Sequence, residues 1–270
     1  MIPLQFSGSL ALSFPQMRKR SLAFLLSFGI TLTVAHRLQA AEPSSAPPQL
    51  TTAISKIDAT ANQHNLEPLK QLYSPNFTTS DGIDYSTFEA ALQSLWKRYP
   101  DLTYSTQLKS WEKDGDTLVA QTVTKMEATS QWQGMPAKFR GVVESRQVFQ
   151  GDKLLRQEIL SEKMTLTSGA NPPEVDVRLP EMVRPNQEFD FDIILREPIG
   201  NNLLAGTAFT QDIDKASYLN PVNLNLELLQ SGGLFKRAKA PAKPEDRWLS
   251  ALLVSADGVT LVTQRLRVEK

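Results

Sequence analysis

Four long segments in the middle of the chain alternate apolar and polar residues with a period of two, which is the pattern of half-buried strands. They span residues 102–112, 117–132, 137–149 and 154–167. Short glycine-containing segments separate them, at 113–116, 133–136 and 150–153. Connections of this length and composition favour hairpins. The sequence therefore predicts an antiparallel meander, which limits the fold to those that can cover one face of such a sheet.

Helix signals precede the meander. Apolar residues within 50–61 recur at i, i+3, i+4, i+7 and i+11, as on one face of a helix. A second short helix is predicted over 66–73, followed by a short strand at 77–80. The sequence STFE at 86–89 is typical of a capping box that opens a third helix, and Pro100 ends that helix. Helices in this order can cover one face of a bent sheet and leave a conical pocket.

Several local features occur together between residues 50 and 168. They are the opening helix with Asp58, the segment LYSPNF at 72–77, the helix end LWKRYP at 95–100 and the hairpin-linked strands. In this order they resemble the nuclear transport factor 2-like superfamily, also called the ketosteroid isomerase-like or SnoaL-like fold. The resemblance implies a cone of three helices on a curved antiparallel sheet. Because that superfamily includes isomerases, cyclases, dehydratases, hydrolases and non-catalytic binding modules, it implies no single chemistry.

The pattern changes after a Pro-containing linker at 169–174. Six short strands without helices are predicted beyond it, at 175–179, 188–195, 203–210, 222–229, 248–255 and 259–268. This spacing is similar to that of an immunoglobulin-like or fibronectin-like module without the disulfide. The predicted fold class is α+β, with the cone-shaped domain at 50–168 and a separate all-β sandwich at 175–270, and with few contacts between them.

The amino end has the pattern of a secretory signal peptide. A basic cluster at 17–20 precedes an apolar run at 21–35 and the small residues Ala40 and Ala41. The run is shorter than the roughly 20 apolar residues of a bilayer span. We expect residues 1–40 to be cleaved, with Met17 as an alternative start, and 41–49 to be a linker. The mature chain would be periplasmic or extracellular, without a stable membrane span; an uncleaved anchor is the alternative.

The composition excludes several classes of function. With 29 basic and 29 acidic residues the formal charge is zero, so we expect no nucleic-acid binding. No cysteine and two histidines are present, so we expect no metal site and no cofactor. The stretch at 236–243 is strongly basic; a solvated loop is the first interpretation, and docking to an acidic protein face or anionic lipid is the alternative. These patterns specify no oligomeric state.

An enzyme in the conical pocket would need a carboxylate base and a hydrogen-bond donor to a developing oxyanion. The candidates are Asp58, Tyr73, Asp81 and Asp84. Each also has a structural interpretation, Asp81-Gly82 as a plain turn for example. Glu127 and Glu144 are better explained by a charge ladder on the solvent face of the sheet.

Aromatic and apolar residues on the last helix and the facing strand are predicted to form the core or the ligand-lining wall of the cone. They are Trp96, Tyr99, Phe139 and Val143. We therefore predict an exported non-catalytic binding or scaffold protein, in which the cone holds an apolar small molecule or peptide and the sandwich docks to a partner. The alternative is a small-molecule isomerase or hydrolase acting in the same pocket.

Overall fold

A computed structural model describes residues 40–132, 134–197, 203–219, 225–229 and 232–270. The predicted signal peptide lies outside these residues except for Ala40, so cleavage and export stay predictions. Among the described residues, no helix is long and apolar enough to cross a membrane.

The first part of the chain is helical. It contains α1 (Pro48–Asn62), α2 (Leu66–Gln71), β1 (Tyr73–Thr79) and α3 (Tyr85–Arg98). The N-cap of α3 is Asp84, whose carboxylate accepts a hydrogen bond from the Thr87 amide at 2.9 Å. The helix thus begins earlier than the predicted capping box, because an aspartate carboxylate satisfies the free amide of the first turn.

The meander consists of long antiparallel strands in sequence order. They are β2 (Thr103–Asp114), β3 (Thr117–Trp132), β4 (Met135–Gln150) and β5 (Lys153–Gly169). Ala41 pairs with Trp111 of β2, and the Trp111 indole N–H donates to the Ser45 hydroxyl at 3.1 Å. The beginning of the predicted linker at 41–49 therefore lies against the edge of the sheet.

The second part of the chain is mostly strands. They are β6 (Val175–Arg178), β7 (Met182–Val183), β8 (Glu188–Leu195), β9 (Ala205–Asp212), β10 (Glu227–Leu228), β11 (Gly233–Lys239), β12 (Arg247–Ser255) and β13 (Gly258–Val268). One short helix, α4 (Lys215–Leu219), was not predicted. The predicted strand at 222–229 lies partly outside the described residues.

The predicted fold class, a cone plus a separate sandwich, is wrong. The strands form a ten-stranded sheet whose main order is β10-β9-β12-β13-β5-β4-β3-β2. The meander and the C-terminal strands share this sheet, because β13 pairs with the end of β5 from Gly258↔Gly169 to Gln264↔Lys163. Among the strands that the structure describes, β11, β8 and β6 form a second, smaller sheet.

The free edge of β5 explains why the C-terminal strands join the meander. Its first residues pair with β1 on the side opposite β4, and its last residues would leave unpaired backbone groups without β13. Gly169 permits the close approach, since its φ is 107° and a Cβ there would lie 2.5 Å from the Asp257 carbonyl oxygen. The predicted linker is also bonded to the C-terminal part: the Asn171 amide donates to Asp257 O at 3.0 Å.

The basic stretch at 236–243 is only partly a loop. Residues 236–239 lie in β11, which pairs with β8 and forms an edge of the smaller sheet. Leu234 is buried in the core and Ala238 packs against it, whereas Phe235 is exposed, so one face of this strand points toward the core. Docking of an acidic or anionic partner to this stretch stays a prediction.

Candidate functional site

The residues predicted to line the cone lie in the apolar core between the helices and the meander. Trp96, Tyr99 and Phe139 are 7%, 6% and 7% exposed, and Val143 is half-buried beside them. The Tyr99 ring stacks on Phe139 at 4.9 Å between centroids. The Trp96 indole N–H donates to the Tyr104 hydroxyl at 2.9 Å. These side chains fill the space under the helices by packing against one another.

His64 completes this packing in a way the sequence did not indicate. Its ring lies parallel to Trp96, 4.9 Å away, and its Nε2 is 2.7 Å from the Leu102 carbonyl oxygen. Because a carbonyl oxygen can only accept, Nε2 carries the proton in this hydrogen bond. The backbone of His64 has a φ of 51°, which turns the chain after α1. This histidine therefore has a structural role.

Asp58 is held by the facing strand. Its two carboxylate oxygens accept from the Thr106 amide and the Thr106 hydroxyl, each at 2.6 Å. The Thr106 hydroxyl donates its only proton to Asp58. The Thr124 hydroxyl, 2.9 Å away, is therefore the donor in its hydrogen bond with the Thr106 hydroxyl. This carboxylate joins α1 to β2, and each of its two oxygens accepts one hydrogen bond from Thr106.

Tyr73 is buried in an aromatic cluster with Phe77, Tyr85 and Phe88. Burial raises the pKa of Tyr73 above its ordinary value, and the nearby Tyr85, Tyr104 and Asp58 raise it further. Burial also raises the pKa of Tyr104 to about 12. Both phenols are therefore neutral at physiological pH, and their rings contribute to packing.

The Asp84 carboxylate is hydrogen-bonded at the N-terminus of α3. Besides capping the helix, it accepts from the Ser86 hydroxyl at 2.8 Å and forms an ion pair with Lys215 of α4. The Lys215 hydrogen bond and those from Thr87 and Ser86 lower the pKa of Asp84 below its ordinary value. It stays ionised and bonded, which makes it a poor proton acceptor.

Asp81 belongs to a buried ionic network around Arg265 of β13. Both Asp81 oxygens accept from the Arg265 guanidinium at 2.9 Å. The same guanidinium donates to Asp246 at 2.9 Å and to Glu162 of β5 at 3.3 Å. The Arg265 side chain is 0% exposed, so one buried cation faces three carboxylates.

The surroundings of Arg265 stabilise its charged form. Burial alone would lower the pKa of Arg265, but its hydrogen bond with Asp81 and the charges of Glu162 and Asp81 raise it above the ordinary value. The Trp248 indole N–H also donates to Glu162 at 2.8 Å, and Tyr218 of α4 packs on the Trp248 ring. No local signal in the sequence indicates this network, because Arg265 lies in a strand that also contains Thr263, Gln264 and Arg267.

The carboxylates suggested by the sequence are therefore not brought together. Asp58, Asp81 and Asp84 each bind different donors on different elements. Among the described residues, no cluster of histidine and acidic side chains could hold a metal ion. Glu127 and Glu144 lie exposed on the face of the meander opposite the helix-covered core. The three aspartates join α1 to β2, the turn at Asp81 to β13, and α3 to α4.

An apolar cavity lies at the C-terminal end of β5, beside Gly169. Its volume is about 540 Å³, and it opens to solvent where the β12–β13 hairpin meets the ends of β4 and β5. Its lining is Met135, Gly169, Ala170, Leu226, Leu252, Val254, Ser255, Ala256, Asp257, Gly258 and Val259. No pattern in the sequence indicates this site, because its walls meet only when β13 pairs with β5.

The cavity walls come from the face of β12 that points away from the second sheet. Ala251 and Leu253 are buried in the core between the two sheets. Leu252 and Val254 alternate with them and face the cavity. The ten-stranded sheet thus has one face in a core and the other lining a concave apolar surface at this point.

Comparisons with known proteins give partial similarities. Residues 170–269 match a family described as a domain of unknown function, DUF8623. No curated protein matches the chain. The candidate hydroxylase AclR from Streptomyces galilaeus is 16% identical, with a TM-score of 0.30 over 40% of this chain and 75% of that chain.

Two further solved structures are similar to the same extent. Bd1075 of Bdellovibrio bacteriovorus is 15% identical, with a TM-score of 0.31, and the match covers 41% of this chain and 38% of that chain. A loop truncation variant of IdmH is 16% identical, with a TM-score of 0.29, over 40% of this chain and 89% of that chain.

Proposed function

We propose that the protein is an exported, non-catalytic binding protein that holds an apolar ligand in the cavity at the β12–β13 hairpin. The observation that carries this proposal is the cavity itself, whose lining is apolar apart from the hairpin turn. Its volume of about 540 Å³ falls within the range of known ligand sites, about 300–1,000 Å³. Apolar walls of this size favour an alkyl or aromatic group over a sugar or nucleotide.

The engaged carboxylates support a binding role over catalysis. A general base needs a lone pair that can reach the substrate. Asp58 and Asp81 instead bind Thr106 and Arg265 with both of their oxygens. An isomerase or hydrolase in the helix-covered half would also need space that Trp96, Tyr99 and Phe139 fill. The enzyme alternative is therefore the less supported one.

Filling the cavity tests the binding role. We expect the neutral fluorophore N-phenyl-1-naphthylamine to bind the purified chain, and Val254→Trp to weaken binding at least about ten-fold, because the indole occupies the ligand's space. Val142→Trp is the matched control, since Val142 is 40% exposed on β4 and does not line the cavity. Fluorescence titration measures both, with melting curves to verify folding. Equal affinities of folded Val254→Trp, Val142→Trp and the unmodified protein, or no binding at all, would contradict the proposal.

Export is the part of the proposal that depends on residues 17–41 alone. The basic cluster, the short apolar run and the small residues at Ala40 and Ala41 motivate it. We expect amino-terminal sequencing of the exported protein to begin after Ala40 or Ala41. An intact Met1 or Met17 on the exported protein would show that no such cleavage occurs.

A further inference from the structure

The polar groups of the cavity are unevenly distributed, and they indicate what kind of ligand would fit. Among the described residues that line it, Asp257 is the only one with an ionisable side chain. It is exposed at the rim, in the turn between β12 and β13. Within the described residues, no donor or cation contacts its carboxylate. The rim of the cavity therefore presents an unpaired negative charge next to apolar walls.

Ser255 is the other described lining residue with a polar side chain, and its hydroxyl forms hydrogen bonds within the turn. The Ser255 hydroxyl donates its proton to the Gly258 carbonyl oxygen at 3.2 Å and accepts from the Asp257 amide at 3.3 Å. A hydroxyl has one proton to give, so Ser255 has no donor left for a ligand. The lining residues that the structure describes include no basic side chain. An anionic ligand would thus find no side-chain donor here, and it would be repelled by Asp257.

We infer that the ligand of this cavity is a cationic amphiphile: an apolar chain or ring that carries a protonated amine. This inference rests on the proposed function, because it assigns the chemical class of the ligand in the same cavity. The apolar part lies against Leu252, Val254 and Val259, and the amine pairs with the Asp257 carboxylate. Burial of the chain supplies most of the affinity, and the ion pair selects the sign of the head group.

Two ligands with the same alkyl chain and opposite charge distinguish the contribution of the ion pair from that of chain burial. We expect decylamine to bind the purified chain about five-fold or more tightly than decanoate, as measured by calorimetry below the micelle concentration at low salt. Asp257→Asn should bring the two affinities within about two-fold of each other. Asp257→Lys should reverse the preference. Salt at about 0.5 M should shrink the preference, because the pair lies at the surface.

Asp152→Asn is the matched control. Asp152 is also exposed in a hairpin turn, but that turn joins β4 to β5 and lies at the other end of β5 from the cavity. This variant should keep the preference for decylamine. Equal binding of decylamine and decanoate by the unmodified protein, or an unchanged preference in Asp257→Asn, would overturn the cationic ligand and leave the proposed binding function standing. Failure of decylamine, decanoate and N-phenyl-1-naphthylamine to bind would overturn both.

Discussion

Replacing Arg265 by methionine is expected to lower the free energy of unfolding by about 3–5 kcal/mol. The substitution keeps much of the side chain's volume but leaves Asp81 and Glu162 buried without a cation, at 6% and 8% side-chain exposure. A buried carboxylate without a partner is costly because it has lost both water and its counter-charge. Urea unfolding, followed by circular dichroism, measures the loss.

Arg267 provides the control for this experiment. It lies on the same strand, is 18% exposed, and pairs with Glu158 and Glu269 near the surface. Arg267→Met should cost about 1 kcal/mol or less. Neutralising the two most buried partners as well, by adding Asp81→Asn and Glu162→Gln to Arg265→Met, should recover part of the stability, since of the three carboxylates only Asp246, at 22% side-chain exposure, then stays charged. A loss for Arg265→Met no larger than for Arg267→Met would show that the network does not connect β13 to the turn at Asp81.

Trp96→Ala is expected to lower the free energy of unfolding by about 3–5 kcal/mol as well, for a different reason. The alanine leaves a large void under α3 and removes both the stack with His64 and the hydrogen bond to the Tyr104 hydroxyl. Trp96→Phe keeps an aromatic ring and should cost about half as much. Denaturant titration of the unmodified protein, Trp96→Ala and Trp96→Phe measures the order of their free energies of unfolding.

The ligand affinity of the Trp96→Ala protein tests whether this core and the cavity are independent of each other. Trp96 lies among the residues of the helix-covered core, and the cavity is lined by a different set around β12 and β13. Affinity for N-phenyl-1-naphthylamine should therefore be unchanged in folded Trp96→Ala protein. If stability did not change either, α3 would face solvent at this position, and its packing on the sheet would have to be rejected.

Local periodicity was enough to predict the elements of the first half. The helix predicted within 50–61 is α1 at Pro48–Asn62, and the third helix starts at Tyr85, close to the predicted capping box. These elements could be predicted because their signals lie within single turns of helix or single hairpins. The alternation in 259–268 likewise marked β13, but the same alternation fits a strand of a separate sandwich and a neighbour of β5. Periodicity shows which face of a strand is buried, and it does not show which strand lies beside it.

The candidate carboxylates illustrate the same limit. Asp81 and Asp84 were selected for their place after a short strand, but their roles depend on partners far along the chain. Arg265 lies 184 residues from Asp81, and Lys215 lies 131 residues from Asp84. No local pattern contains that pairing. The cavity was missed for the same reason, since it exists only where β13 meets β5.

The position of β5 at the centre of the sheet also affects how the chain folds during synthesis. The strand can pair with β4 as soon as it leaves the ribosome, or the export channel when export accompanies synthesis, but its partner on the other side, β13, begins at Gly258. About 90 further residues are made in the interval, at about 5–20 residues per second. For those several seconds the nascent chain carries an exposed strand edge and the unpaired carboxylates of Asp81 and Glu162. Chaperones that bind exposed β edges would be expected to act at this stage, and a chain that stalls before β13 would be prone to aggregate.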